Sequence, residues 1–440
     1  MRILESSNLR ALARLVARDE ARDPRVERTA ARIVADVRRR GDRAVAEWEN
    51  KVRQIHPVRQ VRQVRQVSQN GVLQPLPLTN RTNPTNPTNQ LLSALRLAAR
   101  HIRAVAERQV PKPFSIEVRP GVRIEQRVQP LERVGCYVPG GRHALPSTLL
   151  MTAIPARVAG VREVIVCCPH PTSAVLAAAR EAGVTRIVAI GGAQAIAALA
   201  YGTESIPRVD KIVGPGSAWV AAAKAIVARD CPIDMHAGPS EIVVYSNRGR
   251  AARIAADLIA QAEHDPAARA IFVTTTRSLA AAVQRAVRAQ MPATGPARQA
   301  IARNGGIVIA PTRREAIALV NRIAPEHLVC DAGEDVGVFR AAGTIFVGGW
   351  SAQAAGDYGI GSNHVLPTGG AARFRGGLNA ADFVRVFTVQ KLTPAGLRAV
   401  GPAVMTLAEA EGLTAHVASI RIRLGRPRGT SGTRQTGRTS

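Results

Sequence analysis

Two Rossmann-like α/β domains built on parallel sheets, with small helical pieces at the N- and C-termini, are what this sequence predicts. Three observations lead there. Between Arg162 and Asp230, short Val/Ile runs alternate with alanine-rich helical patterns. The same alternation restarts after Pro239 and runs to GTIFVGG. At 440 residues and 46% hydrophobic composition, the chain is too long for one simple core and rich enough to fill two. Short β-branched runs buried on both faces, each followed by a helix, are the pattern of parallel strands with crossover helices.

In chain order, RVERTAARIVADVRRRGDRAVAEWEN has apolar positions at three-and-four spacing and reads as one or two amphipathic helices broken near Gly41. The composition then changes. VRQ triplets repeat from Val58 to Gln69 and TNP triplets from Thr82 to Gln90, a polar three-residue period that suits neither a helix stripe nor a strand face. Residues 52–90 therefore read as a disordered insert. From Leu91 the helical pattern resumes. REVIVCCP, VTRIVAIGG and KIVGPG read as strands separated by SAVLAAAREAG and AIAALAYG, and SAWVAAAKAIVARD as the helix that follows. EIVVYS, AIFVTTT, GGIVIAP and GTIFVGG read as strands of the second set. Gly401 to Leu424 is helical, and 425–440 reads as a disordered basic tail.

No window has the apolar length of a membrane helix and the start lacks a signal-type core, which predicts a cytoplasmic protein. The five cysteines lack CxxC spacing, and Cys167 and Cys168 sit inside an apolar run, so buried free thiols are expected. A net charge of +28 invites nucleic acid, but the excess is arginine spread along the whole chain, and 3% aromatics leave little for stacking bases. Nucleic-acid binding is therefore not expected.

Several segments carry chemistry-bearing side chains. No GxGxxG follows a strand. Gly191-Gly192 and Gly214-Pro215-Gly216 each lie between a strand and a helix, where either a nucleotide site or a structural turn fits. In QAEHDP, Gln261 and His264 share a helix face and could reach one ion; a histidine complementing the helix terminus is the alternative. APEHL sets Glu326 beside His327, suited to general base work or to a solvated helix end. In GDYGIGSNHVLPTGG, Asp357 and His364 flank a glycine-rich turn, and carboxylate with imidazole suits a divalent metal better than a phosphate. Glu411 and His416 lie in EGLTAH, where Gly412 closes a helix.

Taken in order, ERVGCYVPGG, IGGAQAIAALAYG, DKIVGPG, AGPSE, QAEHDP, APEHL, GDYGIGSNHVLPTGGAARF and EGLTAH resemble histidinol dehydrogenases over residues 91–424, together with DPRVERTAARIVADVRRRGDRAV near the start. The resemblance implies oxidation of L-histidinol through L-histidinal to L-histidine, with one Zn2+ per subunit and two NAD reduced. It implies zinc ligands Gln261, His264, Asp357 and His416, and substrate contacts from these and from Ser240, His327, His364 and Glu411. His327 resembles the general base, whose pKa should lie near neutrality, and Glu326 the carboxylate that activates water. Tyr137, Gln194 and the position of Ser217 correspond to dinucleotide contacts. At that last position the family has asparagine, so a hydrogen bond to NAD of about 0.5–1.5 kcal/mol is at stake.

The implied organisation is an N-terminal helical piece over 1–26 and a zinc-carrying first domain over 27–135 and 240–373. An NAD-binding second domain spans 136–239, and 374–424 forms a C-terminal helical dimer-exchange piece. A homodimer with shared active sites follows, Glu411 and His416 completing the partner's site. Two readings compete with it: a zinc dehydrogenase for another small polar alcohol, and a catalytically silent arginine-rich anion binder. The retained substrate contacts argue against the first of these.

Overall fold

A computed structural model of the chain describes residues 1–16, 23–55, 88–140, 145–236 and 238–425. The VRQ and TNP repeats, apart from Thr88, Asn89 and Gln90, and the basic tail from 426 onward lie outside these residues. The two ends of the expected insert are helical. Asp42–Ile55 runs past position 52, and Asn89–Gln109 begins at position 89, capped by the Thr88 hydroxyl accepting from Leu91 N–H.

The chain divides into two units, Met1–Val110 with Pro130–Phe383, and Pro111–Gln129 with Val384–Ser440. The first unit contains both parallel sheets. One has six strands in the order Arg2–Glu5, Gly305–Ile309, Arg269–Thr274, Glu241–Tyr245, His327–Cys330 and Thr344–Val347. The other has four, in the order Arg186–Val188, Glu163–Cys167, Arg133–Tyr137 and Lys211–Val213. Their Val/Ile runs are buried as the composition requires, Glu241–Tyr245 along its whole length. The two faces of the six-stranded sheet carry separate apolar clusters, around Phe272 and Leu258 on one side and Tyr245 and Leu328 on the other.

Some boundaries differ from those read in the sequence. Residues 2–5, expected in a helical piece, form an edge strand in which Ile3 pairs with Ile307. The helices Pro24–Arg40 and Asp42–Ile55, separated at Gly41 as expected, pack Ile33, Val37 and Val45 into the core of the four-stranded sheet rather than the six-stranded one. Arg133–Tyr137 is one of the two inner strands of that same sheet.

The second unit holds an antiparallel hairpin, Phe114–Arg119 with Val122–Pro130, and Val384–Leu392 on the far side of the latter. The C-terminal piece is thus not purely helical: VRVFTVQKL is rich in the β-branched and aromatic residues that favour a strand, with three valines, a threonine and a phenylalanine. The helices Pro394–Ala410 and Thr414–Leu424 follow, joined at Gly412 with φ +74°. All five cysteines are buried and unpaired. No helix among the described residues is long and apolar enough to cross a membrane.

Candidate active site

Register in the six-stranded sheet explains how distant segments meet. Glu241–Tyr245 and His327–Cys330 are neighbours, with His327 opposite Ile242, so GPSE and APEHL come together at the strands' N-terminal ends. Ala324, the only non-glycine residue of positive φ among the described residues, turns the chain just before Pro325 and Glu326. Glu326 and His327 are therefore buried at a strand start, not solvated at a helix end. The Glu326 carboxylate accepts the Glu241 N–H at 2.8 Å and lies 3.4 Å from Gln261 Nε2.

The His327 ring is held from both sides. Nδ1 is 3.2 Å from the Glu241 carbonyl and 3.6 Å from Glu326 Oε2, while Nε2 is 3.6 Å from Asp357 Oδ1. Phe346 stacks on it at 6.1 Å. Burial pulls the pKa of this imidazole down, but the Glu326 and Asp357 carboxylates outweigh it and hold the group at about 10. The expectation of a base near neutrality is not met in this charge environment, because two carboxylates face one ring.

Gln261 lies in the last turn of the helix Ala251–Ala262, and His264 follows just beyond it, exposed. Gln261 is fully buried and its Oε1 has no hydrogen-bond partner, an uncompensated acceptor of the kind that costs about 1–3 kcal/mol. Asp357, expected to flank a glycine-rich turn, belongs to a short helix, Gln353–Tyr358, that leads into it. Its Oδ2 accepts from Gln353 Nε2 at 2.6 Å. Burial raises the pKa of Asp357, but the His327 hydrogen bond and charge, helped by His364 and His264, bring it below the ordinary carboxylate value.

After the helix, Gly361 takes φ +100°, and a Cβ there would come within 2.6 Å of the His101 carbonyl; only glycine lets the loop pass. His101 in turn reaches the Gly359 carbonyl at 2.6 Å. The loop returns His364 so that Nδ1 is 2.9 Å from the Asp357 carbonyl and Nε2 is 3.2 Å from Thr148 Oγ1. Burial pushes the His364 imidazole below its usual value, with Asp357 opposing. Ser240 is partly exposed directly before Glu241.

Among the described residues, no three His, Cys, Asp or Glu side chains form a ready-made metal cage. The candidate donor set depends on a glutamine, and the unpaired buried Gln261 Oε1 fits such a role: an oxygen donor kept dry on a side chain whose amide nitrogen lies 3.4 Å from Glu326, while the pKa of Asp357 reflects the charge of His264. Glu411 and His416 lie in the second unit, both exposed, at and just after the junction of its helices.

The dinucleotide candidates surround the other sheet. Its strand order turns back between Arg133–Tyr137 and Lys211–Val213, and both glycine turns start at the strands' C-terminal ends, where ligands of such sheets bind. The Tyr137 hydroxyl accepts the Gly192 N–H at 3.1 Å, and burial pushes its pKa up to about 12. Gln194 is buried, its Nε2 donating to Glu49 at 3.0 Å and its Oε1 unpartnered. Ser217 is the exposed N-cap of Ala218–Val227, with no side-chain cap bond.

Sequence reading missed Gln353, Thr148 and Glu49. Gln353 stands four residues before Asp357, a spacing that puts both on one helix face and was available as a signal. Thr148 and Glu49 act across 216 and 145 residues of sequence, and no local pattern marks them.

A family model described as histidinol dehydrogenase matches residues 16–424. The chain is similar to the histidinol dehydrogenase of Syntrophotalea carbinolica, with 44% identity over 94% of this chain and 96% of that protein. It is 48% identical to that of Methanothermobacter thermautotrophicus over 75% of this chain and 80% of the other. The crystal structure of histidinol dehydrogenase from Elizabethkingia anophelis superposes with a TM-score of 0.83 at 30% identity, covering 96% of this chain and 98% of that one.

Proposed function

This chain belongs to the histidinol dehydrogenase family, and from that premise we propose that it oxidises L-histidinol through L-histidinal to L-histidine, reducing two NAD and using zinc. The observation that carries the reading is the convergence of Gln261, Glu326, His327 and Asp357 at one end of the six-stranded sheet. Gln261, His264 and Asp357, with His416, would hold the zinc. When bound it supplies a Lewis acid and an anchor for the nitrogen donors of histidinol.

The remaining chemistry falls to side chains. His327 accepts the hydroxyl proton as hydride leaves for the first NAD. After His327 has passed that proton to solvent, Glu326 takes a proton from water as its hydroxide adds to the aldehyde carbon, and the resulting hydrate anion gives a second hydride to NAD and its hydroxyl proton to His327, leaving a carboxylate. Base action requires a lower proton affinity than two flanking carboxylates allow, and engaging Asp357 in metal binding removes one of them. His364, kept neutral by burial and oriented by Thr148, suits a substrate contact. Ser240 and Glu411 complete the proposed substrate set. Tyr137, Gln194 and Ser217 belong to the dinucleotide side. Because Glu411 and His416 are exposed in a separate unit, we read the working form as a homodimer in which each C-terminal piece completes the partner's site.

The test is NADH formation at 340 nm from histidinol by the zinc-loaded protein. Two variants assign the roles. His327→Asn should retain zinc and lose oxidation, whereas His264→Asn should lose zinc. A folded, zinc-loaded protein without turnover contradicts the function, and unchanged zinc content in His264→Asn contradicts the ligand set.

A further inference from the structure

A buried ion pair underlies the Gly214-Pro215-Gly216 turn, and neither proposed chemical step uses it. Lys224, on the helix Ala218–Val227, and Asp234, on the segment after that helix, are 3% and 1% exposed and in direct contact. Between them they satisfy both main-chain polar groups of Gly214. Lys224 Nζ donates to its carbonyl at 2.9 Å, and its N–H donates to Asp234 Oδ2 at 2.7 Å. Asp234 Oδ1 also accepts the Met235 N–H at 2.6 Å.

Gly214 is a position that tolerates little error. It has φ +113°, and a Cβ would fall 2.1 Å from the Tyr137 carbonyl, so the two strand ends touch where the sheet order turns back. A buried ion pair usually adds little stability over a well-packed apolar pair, since desolvation offsets the attraction. What this one does provide is direction. With both polar groups of Gly214 fixed, the exit angle of the turn, and hence the placing of Ser217 and the start of its helix, is set from beneath.

We propose that Lys224 and Asp234 are a positioning pair for dinucleotide binding, holding the Gly214–Ser217 turn in its receptive shape. The inference rests on the dinucleotide reading given above, and the experiment separates the two. NADH affinity is measured by fluorescence titration, alongside the KM values for NAD and histidinol and the zinc content. In Lys224→Met/Asp234→Leu, which leaves no uncompensated charge, the Kd for NADH and the KM for NAD should rise at least tenfold. The KM for histidinol and the zinc content should stay within twofold of the parent protein. In Asp234→Asn, isosteric and still an acceptor, the NADH Kd should rise about threefold. Unchanged NADH affinity in a folded double variant, or in Asp234→Asn if the double variant does not fold, overturns the proposal. So does a parallel loss of zinc and of both substrates, which marks a general structural role. A parent protein that turns over histidinol but binds no NADH defeats the dinucleotide reading itself.

Discussion

Gln353→Leu probes the site most directly through a residue that is itself neither a proposed ligand nor a proposed base, although its amide nitrogen also lies 3.5 Å from His327 Nε2. Gln353 is 1% exposed, and its amide donates to Asp357 Oδ2 at 2.6 Å from one turn earlier on the same short helix. Hydrogen bonds to ionised groups contribute about 1.5–3 kcal/mol. Leucine fills comparable space and donates nothing, so the buried carboxylate loses a partner and the restraint on its rotamer. Removing such an outer partner of a metal ligand typically costs about 10–100-fold in metal affinity. We therefore expect zinc affinity, measured by competition with a chromogenic chelator, to fall in that range, with turnover restored in part by excess zinc. Gln353→Glu should be at least as damaging at neutral pH, since it sets a second carboxylate against Asp357. A folded Gln353→Leu protein with zinc affinity within twofold of the parent would refute the assignment of Asp357 as a ligand oriented by Gln353.

Three further outcomes follow from single positions. Asp257 has its pKa raised by burial to about 6. It is protonated more readily folded than unfolded, so its contribution is full below about pH 4 and is lost as pH rises through 6; at ~1.4 kcal/mol per unit, tempered by partial exposure, Asp257→Asn should gain about 2 kcal/mol in urea denaturation at pH 8 and far less at pH 4.5. Equal gains at the two pH values would exclude the titration as the cause. Ser217→Asn should lower the KM for NAD up to about tenfold, and an unchanged value shows that the serine is already compensated. Asp331 accepts the Ser246 hydroxyl and the Asn247 and Arg248 N–H groups, so Asp331→Ala should cost about 1–3 kcal/mol in stability while leaving both KM values unaltered.

The parts of this molecule legible in the sequence are those governed by local periodicity. Parallel strands and crossover helices were readable because their burial on both faces forces continuous Val/Ile runs, as in EIVVY. Boundaries were less legible where an element is short or its partner remote. Arg2–Glu5 is a strand only because Gly305–Ile309 offers an edge, and nothing in Pro24–Arg40 states which sheet its apolar stripe meets. In the site, residue types pointed to chemistry, but the environment of His327 was not readable. Its proton affinity depends on Asp357, thirty residues away and delivered by a helix too short to show a period.

The two sheets also present opposite edges to function, which a rule drawn from strand order alone would misplace. In the four-stranded sheet the glycine turns lie at the strands' C-terminal ends, as expected for a nucleotide. In the six-stranded sheet the proposed acid–base residues Glu326 and His327, with Glu241, gather at the N-terminal ends. The C-terminal crevice of that sheet, between Tyr245 and Cys330, is filled instead. Asp331 binds the Ser246–Arg248 turn, and Asn247 Oδ1 accepts from the Thr274 and Thr275 hydroxyls and the Thr275 N–H. A polar crevice whose groups are paired with one another has little left to offer a ligand. The proposed chemistry at the other edge would draw on groups that local pairing leaves unsatisfied, the Gln261 side-chain carbonyl oxygen foremost. The proposed location of the site thus follows from where hydrogen-bonding capacity is left over, and the open order of the strands is only the frame in which that difference arises.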